Sequence, residues 1–145
     1  MHYEGTIEAS VPKGRFYAFI TDPASVIGIL PDVAESKIAD QDHFTVKAKA
    51  GVAYLRGALD IAFEVAEKKK DSMTRITGHG QGMQSSVEIQ LQIDLEDSAA
   101  GTRASWAADV AVGGLLASVG GRLIDGVAAK YVMQITENLR QKVAA

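Results

Sequence analysis

The sequence has no cysteine, which excludes disulfides, thiolate nucleophiles and cysteine-ligated zinc. Histidine is scarce. His2, His43 and His79 are the only ones, and none has neighbours at the short spacing of a histidine-rich metal site. Positive charge is in deficit: 15 Lys and Arg stand against 18 Asp and Glu, a formal net charge of -3. That argues against nucleic acid as a partner, because a phosphate backbone demands a basic face. No run of roughly eighteen apolar residues occurs, so no membrane-spanning helix is predicted. The opening MHYEGTIEAS lacks the basic start and apolar core of a signal peptide, and the cytoplasm is the expected location. Low-complexity linkers and internal repeats are missing as well, so a single domain over residues 1–145 is expected.

What is present is an ordinary globular composition, 47% hydrophobic and 23% charged over 145 residues, enough to bury a core. The stretch Leu115 to Val143 organises the rest. Leu123, Val127, Tyr131, Ile135, Leu139 and Val143 recur every four residues, widened by Leu116, Val119, Ile124, Ala128 and Val132. That pattern predicts one long amphipathic helix with a broad buried face. Gly120, Gly121 and Gly126 lie inside it, each costing roughly 1 kcal/mol relative to alanine. Close approach to the sheet together with room for a ligand is the expected compensation, and a kink near Gly120-Gly121 the next.

Almost everything before that helix reads as strand. The first strand is expected over roughly His2 to Ala9, with Tyr3, Ile7 and Ala9 on one side. Pro12 suits an early position in a short helix carrying Phe16, Phe19 and Ile20. Asp22-Pro23 starts a second, with Asp22 as cap and Pro23 at its first position; it runs to about Pro31. Strands follow at Val33 to Ala39, His43 to Ala50 and Val52 to Lys68. In the last of these, Leu55, Gly57, Leu59, Ile61, Phe63 and Val65 alternate with Arg56, Asp60 and Glu64, the period of a half-buried strand.

After a polar turn at Lys68-Lys69-Lys70-Asp71-Ser72, the strand Met73 to Gly82 puts Gly78, Gly80 and Gly82 on one side with Ile76. A strand follows rather than a helix, so these glycines do not form a phosphate loop. Their inward row is expected to leave empty volume beside the sheet. The next strand alternates Val87, Ile89, Leu91, Ile93 and Leu95 with polar residues. The last, Thr102 to about Val112, carries Ala104, Trp106, Ala108, Val110 and Val112 in its apolar row. Trp106 reads as core packing or as the wall of a ligand cavity. The order predicts an α+β fold: a curved antiparallel seven-stranded sheet, two short helices after the first strand, and a long C-terminal helix that the sheet grips.

Asp22-Pro23, Leu30-Pro31, Gly57, Gly101-Thr102, Trp106-x-Ala108-Asp109-Val110-x-Val112-Gly113-Gly114, Leu116-Ala117-x-Val119-Gly120 and Arg122-Leu123-Ile124 together resemble the CoxG family of carbon monoxide dehydrogenase subunits, within the START/Bet v1-like (SRPBCC) superfamily. The resemblance spans nearly the whole chain, and Ala108 to Ile124 is its more specific part. Two features depart from the family pattern. Pro31-Asp32 stands where the family often has Pro-Gly, at a turn near the expected cavity mouth. Many members continue into a Pro-rich tail and a membrane-associating segment, whereas this chain ends at Ala145, so direct anchoring is not expected.

The resemblance implies a non-catalytic accessory protein of a CO dehydrogenase-type molybdenum hydroxylase. It further implies a bound hydrophobic molecule, a quinone foremost or something lipid-like, or recruitment of the enzyme to the membrane. Residence would then be cytoplasmic or peripheral at the inner face of the membrane, and no cofactor is expected. Candidate ligand-lining residues are Leu55, Leu59, Phe63, Ile76, Gly78, Gly80, Val87, Ile89, Leu91, Trp106, Leu123, Val127 and Tyr131, because apolar pockets with few polar groups suit such ligands. The Tyr131 hydroxyl suits a ligand carbonyl, though a helix-face core aromatic is the plainer reading.

Two other readings stay open. A cyclase- or hydratase-type enzyme of the same fold requires an inward carboxylate, histidine or tyrosine with a polar partner. A pure adaptor requires only exposed faces. Asp109 lies opposite the Trp106 row and reads as an ion-pair partner or a functional acid. The histidines read as surface groups, and no serine has a recognisable histidine-carboxylate partner.

Overall fold

The computed structural model describes residues 1–145. The elements are β1 (His2–Ala9), α1 (Lys13–Ile20), α2 (Pro23–Ile27), β2 (Val33–Ile38), β3 (His43–Val52), β4 (Leu55–Lys69), β5 (Met73–Gly82), β6 (Ser85–Ser98), β7 (Gly101–Gly114), a 3-10 turn at Leu116–Val119, and α3 (Gly121–Val143). The strands form one antiparallel sheet in the order β1-β7-β6-β5-β4-β3-β2. Strands β2 to β7 are a meander, and β1 closes on β7. The expected α+β architecture is the observed one.

Local signals in the sequence account for many of the boundaries. Asp22 caps α2: its Oδ2 accepts from the Ser25 N–H at 3.2 Å and from the Ser25 hydroxyl at 2.7 Å, with Pro23 at the first turn. The Gly101-Thr102 pair has a physical reason. Gly101 has φ +141, and a Cβ there would stand 2.6 Å from the Ala9 carbonyl oxygen, so only glycine fits the close approach. The Thr102 side chain, wholly buried, donates its hydroxyl to the Val11 carbonyl at 2.7 Å. Together the pair locks the start of β7 to the corner between β1 and α1.

Several boundaries differ from expectation. Pro12 precedes α1 as its cap rather than lying inside it, and α2 ends at Ile27. Strand β4 starts at Leu55, not Val52: Val52 belongs to β3 and pairs with Leu55, and the turn between them holds Ala53 at φ 53. The C-terminal helix is not continuous. Gly120, at φ +102 and ψ 146, separates the 3-10 turn from α3. Two adjacent glycines are poor helix formers and open backbone conformations closed to other residues. Close approach to the sheet is not what compensates for the helix glycines, because a Cβ at Gly120, Gly121 or Gly126 would meet nothing within 4 Å.

The apolar interior falls into two parts. The larger cluster of 11 buried residues joins Phe16, Ile20 and Ile29 to Ile7, Ile93, Leu95 and Ala104 of the sheet and to Leu139 and Val143 of α3. The smaller, of 5 buried residues, unites Val52, Leu59 and Val87 with Leu116 and Ile124 at the opposite end of the sheet. Helix α3 spans the two.

Candidate functional site

The sheet's register lines up the concave face in rows. One row runs Phe44, Phe63, Gly78, Ile89, Val110; the next Val65, Ile76, Leu91, Ala108, Tyr3; a third Val46, Ile61, Gly80, Val87, Val112. Facing them, α3 turns Ile124, Val127, Ala128, Tyr131, Val132 and Ile135 inward. The backbone of α3 comes close to the sheet at β1 and at β3, near the two edges, so the helix bridges the hollow.

Burial along these rows is uneven. Phe44, Val46, Val65, Ile76, Val87 and Ala108 are buried. Ile61, Phe63, Ile89, Leu91, Trp106, Val110, Val127, Tyr131 and Ile135 are only half-buried, although they belong to facing apolar surfaces. Two apolar walls that met face to face would bury these side chains as fully as the clusters at either end. Both facing surfaces stay partly exposed, which marks the middle of the sheet beneath α3 as the candidate apolar cleft.

The glycine row does not leave the volume it was expected to leave. A Cβ on Gly78 would lie 2.9 Å from Phe63 Cε1, and one on Gly80 would lie 3.3 Å from Ile61 Cγ1 and 3.4 Å from Val87 Cβ. Large cross-strand neighbours fill the space above the glycines. Phe63 in turn stacks on Phe44, with centroids 5.0 Å apart and planes 17° from parallel. Trp106 is treated the same way, since its ring lies over Gly5, whose Cβ would stand 3.0 Å from Trp106 Cζ2. Gly5 and Gly78 are seats for rings, and Gly80 is a seat for branched side chains.

Of the expected lining residues, Leu59, Ile76, Gly78, Gly80 and Val87 sit buried on the concave face, Leu55, Phe63, Ile89, Leu91 and Trp106 are half-buried there, and Val127 and Tyr131 are half-buried on the facing side of α3. Leu123 is 49% exposed, and the adjacent Ile124 takes the buried position. The break at Gly120 sets the phase of the helix, and a continuous helix from Leu115 would have phased it differently. The Tyr131 hydroxyl is already engaged, donating to Asp32 Oδ2 at 3.4 Å. Burial, then the Asp32 charge and hydrogen bond, push its pKa up. Tyr3 was not singled out by sequence. It donates to Asp125 Oδ1 at 2.6 Å, and burial, followed by that hydrogen bond, pushes the phenol up to about 12. Its place at an inward position of β1, opposite Ala108, was the signal that could have marked it.

Apart from these two tyrosine–aspartate pairs, the polar groups singled out by sequence lie outside. Asp109 is on the convex face, bonded to His2 Nδ1 at 2.8 Å, so it is an ion-pair partner. His43 pairs with Asp40 at 2.8 Å and Glu64 at 3.1 Å, and His79 pairs with Glu88. The convex face also carries a shallow depression of about 620 Å³. Small Thr6, Ser105 and Ala107 form its floor between Glu4, Gln90, Asp94 and Asp109. Its polar rim does not suit an apolar ligand.

The end of the molecule beside the smaller cluster has a different character. Tyr54 (83%), Leu115 (38%) and Leu123 expose apolar surface there. Leu115 N–H bonds to the Gln84 carbonyl at 3.0 Å, and a Cβ on Gly57 would run into Met83, so the β3–β4 turn, the β5–β6 turn and the start of α3 share this end. Arg75, Arg103 and Arg140 each pair with a carboxylate. Arg56 and Arg122, both at this end, have no carboxylate within 4.0 Å.

A curved sheet gripping one long helix over an apolar cleft defines a helix-grip protein of the START/Bet v1-like class. The chain belongs to the CoxG family of carbon monoxide dehydrogenase subunits, whose model matches residues 5–144, a family of accessory subunits. Solved structures of similar fold include a conserved protein from Geobacillus kaustophilus, with 21% identity, a TM-score of 0.85 and coverage of 99% of this chain and 95% of that one. A START superfamily protein from Mycobacterium smegmatis shows 11% identity and a TM-score of 0.72, covering 98% and 96%. Ara h 8.0201 shows 12% identity and a TM-score of 0.66, covering 99% and 97%. No curated protein matches the sequence. No helix is long and apolar enough to cross a membrane.

Proposed function

We propose that this protein is a non-catalytic accessory of a CO dehydrogenase-type molybdenum hydroxylase. In this reading it binds a quinone or lipid-like molecule in the cleft between the sheet and α3. The observation that carries the reading is the half-burial of Ile61, Phe63, Ile89, Leu91 and Trp106 beneath the half-buried face of α3. An elongated apolar ligand inserted there removes those side chains from water, at about 25 cal/mol for each Å² buried. The histidines and the strand carboxylates lie on the convex face, away from the cleft. The two tyrosine–aspartate pairs beside the cleft, Tyr3–Asp125 and Tyr131–Asp32, each tie α3 to another element, which we read as structural rather than acid-base roles. The partnership with the hydroxylase rests on family membership.

The end bearing Tyr54, Leu115 and Leu123 is the part suited to touch a bilayer. An aromatic and two leucines reach into the interface, and Arg56, which donates only to the Ala53 and Leu55 carbonyls, and Arg122 bring charge without a carboxylate partner to meet anionic headgroups. The protein then resides in the cytoplasm and meets the inner face of the membrane peripherally.

Solvent extraction of the purified protein, followed by mass spectrometry, tests the ligand. A stoichiometric quinone or lipid is the expected result. Protein that carries none, and that fails to take up decylubiquinone, contradicts the reading. Sedimentation with phosphatidylglycerol-containing vesicles tests the membrane contact, which Leu123→Ser combined with Tyr54→Ser should abolish.

A further inference from the structure

We propose that residues 121–127, the start of α3, form a gate over the cleft, latched by the hydrogen bond from Tyr3 to Asp125. Such a gate presupposes the ligand-binding reading and supplies the moving part of that site. Its basis is the unequal attachment of the two ends of α3.

The later part of α3 is stitched to the α2 corner. Asn138 Nδ2 donates to the Ile29 carbonyl at 3.0 Å, Lys142 Nζ donates to the Gly28 carbonyl, and Tyr131 donates to Asp32. Leu139 and Val143 are also anchored in the larger apolar cluster. The first turns of α3 have one such tie, the 2.6 Å bond from Tyr3 Oη to Asp125 Oδ1, and one buried side chain, Ile124, in the smaller cluster, with half-buried Val127 beside it.

Just before these turns the backbone is built to bend. Gly120 has φ +102 and ψ 146, outside the helix. A Cβ at Gly120, Gly121 or Gly126 would meet nothing within 4 Å, so the backbone at these positions is not packed against the sheet. On the other side of the break, the Leu116 N–H is held by Ser85 Oγ at 2.9 Å, which fixes the base of the hinge to β6. A hinge requires a few residues that absorb a φ/ψ change, and the adjacent Gly120 and Gly121 supply them. Movement of the segment between two glycine pivots, Gly120 and Gly126, breaks the Tyr3–Asp125 bond and withdraws Ile124, uncovering the side of the cleft between α3 and β1.

Full-length Tyr3→Phe and Asp125→Ala proteins test the latch by two independent readouts. Hydrogen exchange should accelerate about tenfold at the amides of residues 122–127, the factor expected for losing one hydrogen bond to a charged group. Residues 135–143 should keep their protection. Stopped-flow binding of the probe 1-anilinonaphthalene-8-sulfonate should show both association and dissociation faster by a similar factor, with the equilibrium affinity held within about twofold. Unchanged exchange at 122–127 overturns the gate, as does loss of affinity without faster association. If neither the probe nor decylubiquinone binds the wild-type protein, the ligand-binding reading falls, and the exchange data still decide whether the latch exists. The Phe substitution retains the ring, so a misfolded Asp125→Ala protein leaves the test intact.

Discussion

The ring of Phe63 lies over the backbone of Gly78, so close that a methyl group on Gly78 would stand 2.9 Å from Phe63 Cε1. Phe44, itself buried, stacks on the same ring. The inward glycines of β5 therefore work by admitting aromatic and branched neighbours to the sheet surface, which raises the floor of the cleft instead of hollowing it.

Two glycine substitutions should move stability in opposite directions. Gly78→Ala forces Phe63 off its seat and should cost about 1–3 kcal/mol, the usual penalty for overpacking. Gly126→Ala lies inside α3, where a Cβ meets nothing within 4 Å, and should gain about 1 kcal/mol from helix propensity. Urea denaturation of the two proteins beside wild type gives both signs in one experiment.

Thr102→Val keeps the shape of the side chain and removes the hydroxyl that donates to the Val11 carbonyl. The position is fully buried, so water cannot replace the bond. A loss of about 1–3 kcal/mol is expected, measured as a shift in the denaturation midpoint at unchanged slope. A Thr102→Ser protein retains the donor and should lose clearly less.

Asp32 occupies the turn where the family pattern favours glycine, and its φ is 60. That is the left-handed region, which aspartate tolerates better than alanine does. Asp32→Gly relieves the backbone while giving up the contact with Tyr131, and should leave stability within about 0.5 kcal/mol. Asp32→Ala gives up the contact and keeps the strain, and should cost about 1–2 kcal/mol. Urea denaturation separates the two, and equal effects would contradict this account.

The pH dependence has a definite sign. Hydrogen bonds to Asp109 and then Glu4 raise the pKa of His2 above its ordinary 6.5, and Asp40 followed by Glu64 raises His43 likewise. A histidine with a raised folded pKa contributes stability that is complete below its unfolded value and lost as pH rises through the folded one. The contribution of both pairs should therefore fade on going above about pH 6.5. Asp40 is lowered from 3.8, first by the Asp42 backbone N–H and then by His43, so its share is present above that value and lost as pH falls through the folded pKa. In an NMR titration, Asp40→Asn should bring the His43 midpoint down and leave that of His2 in place.

Much of the fold was legible because its signals are local. Period-2 alternation in β4 and β6 marks strands with one wet face, and Asp22-Pro23 marks a helix start through a cap bond to Ser25 in the same turn. The cleft was less legible. Whether an inward glycine makes a hole depends on the residue across the strand pair, and Gly78 faces Phe63 only through the β4–β5 register. The exposure of Leu123 depends on where the helix restarts after Gly120. The partners of Tyr3 and Tyr131 lie 122 and 99 residues away, beyond any periodicity.

The sequence by itself determined the sheet, the amphipathic helix and the family, since side-chain alternation, capping and glycine placement act within a few residues along the chain. Only the tertiary structure decided that the helix breaks at Gly120, that the glycine row is filled from above, and that the Tyr3 hydroxyl ties the front of α3 to the sheet. Those features arise from contacts between segments far apart in sequence, and they exist only once the sheet has curved and the helix has been laid across it.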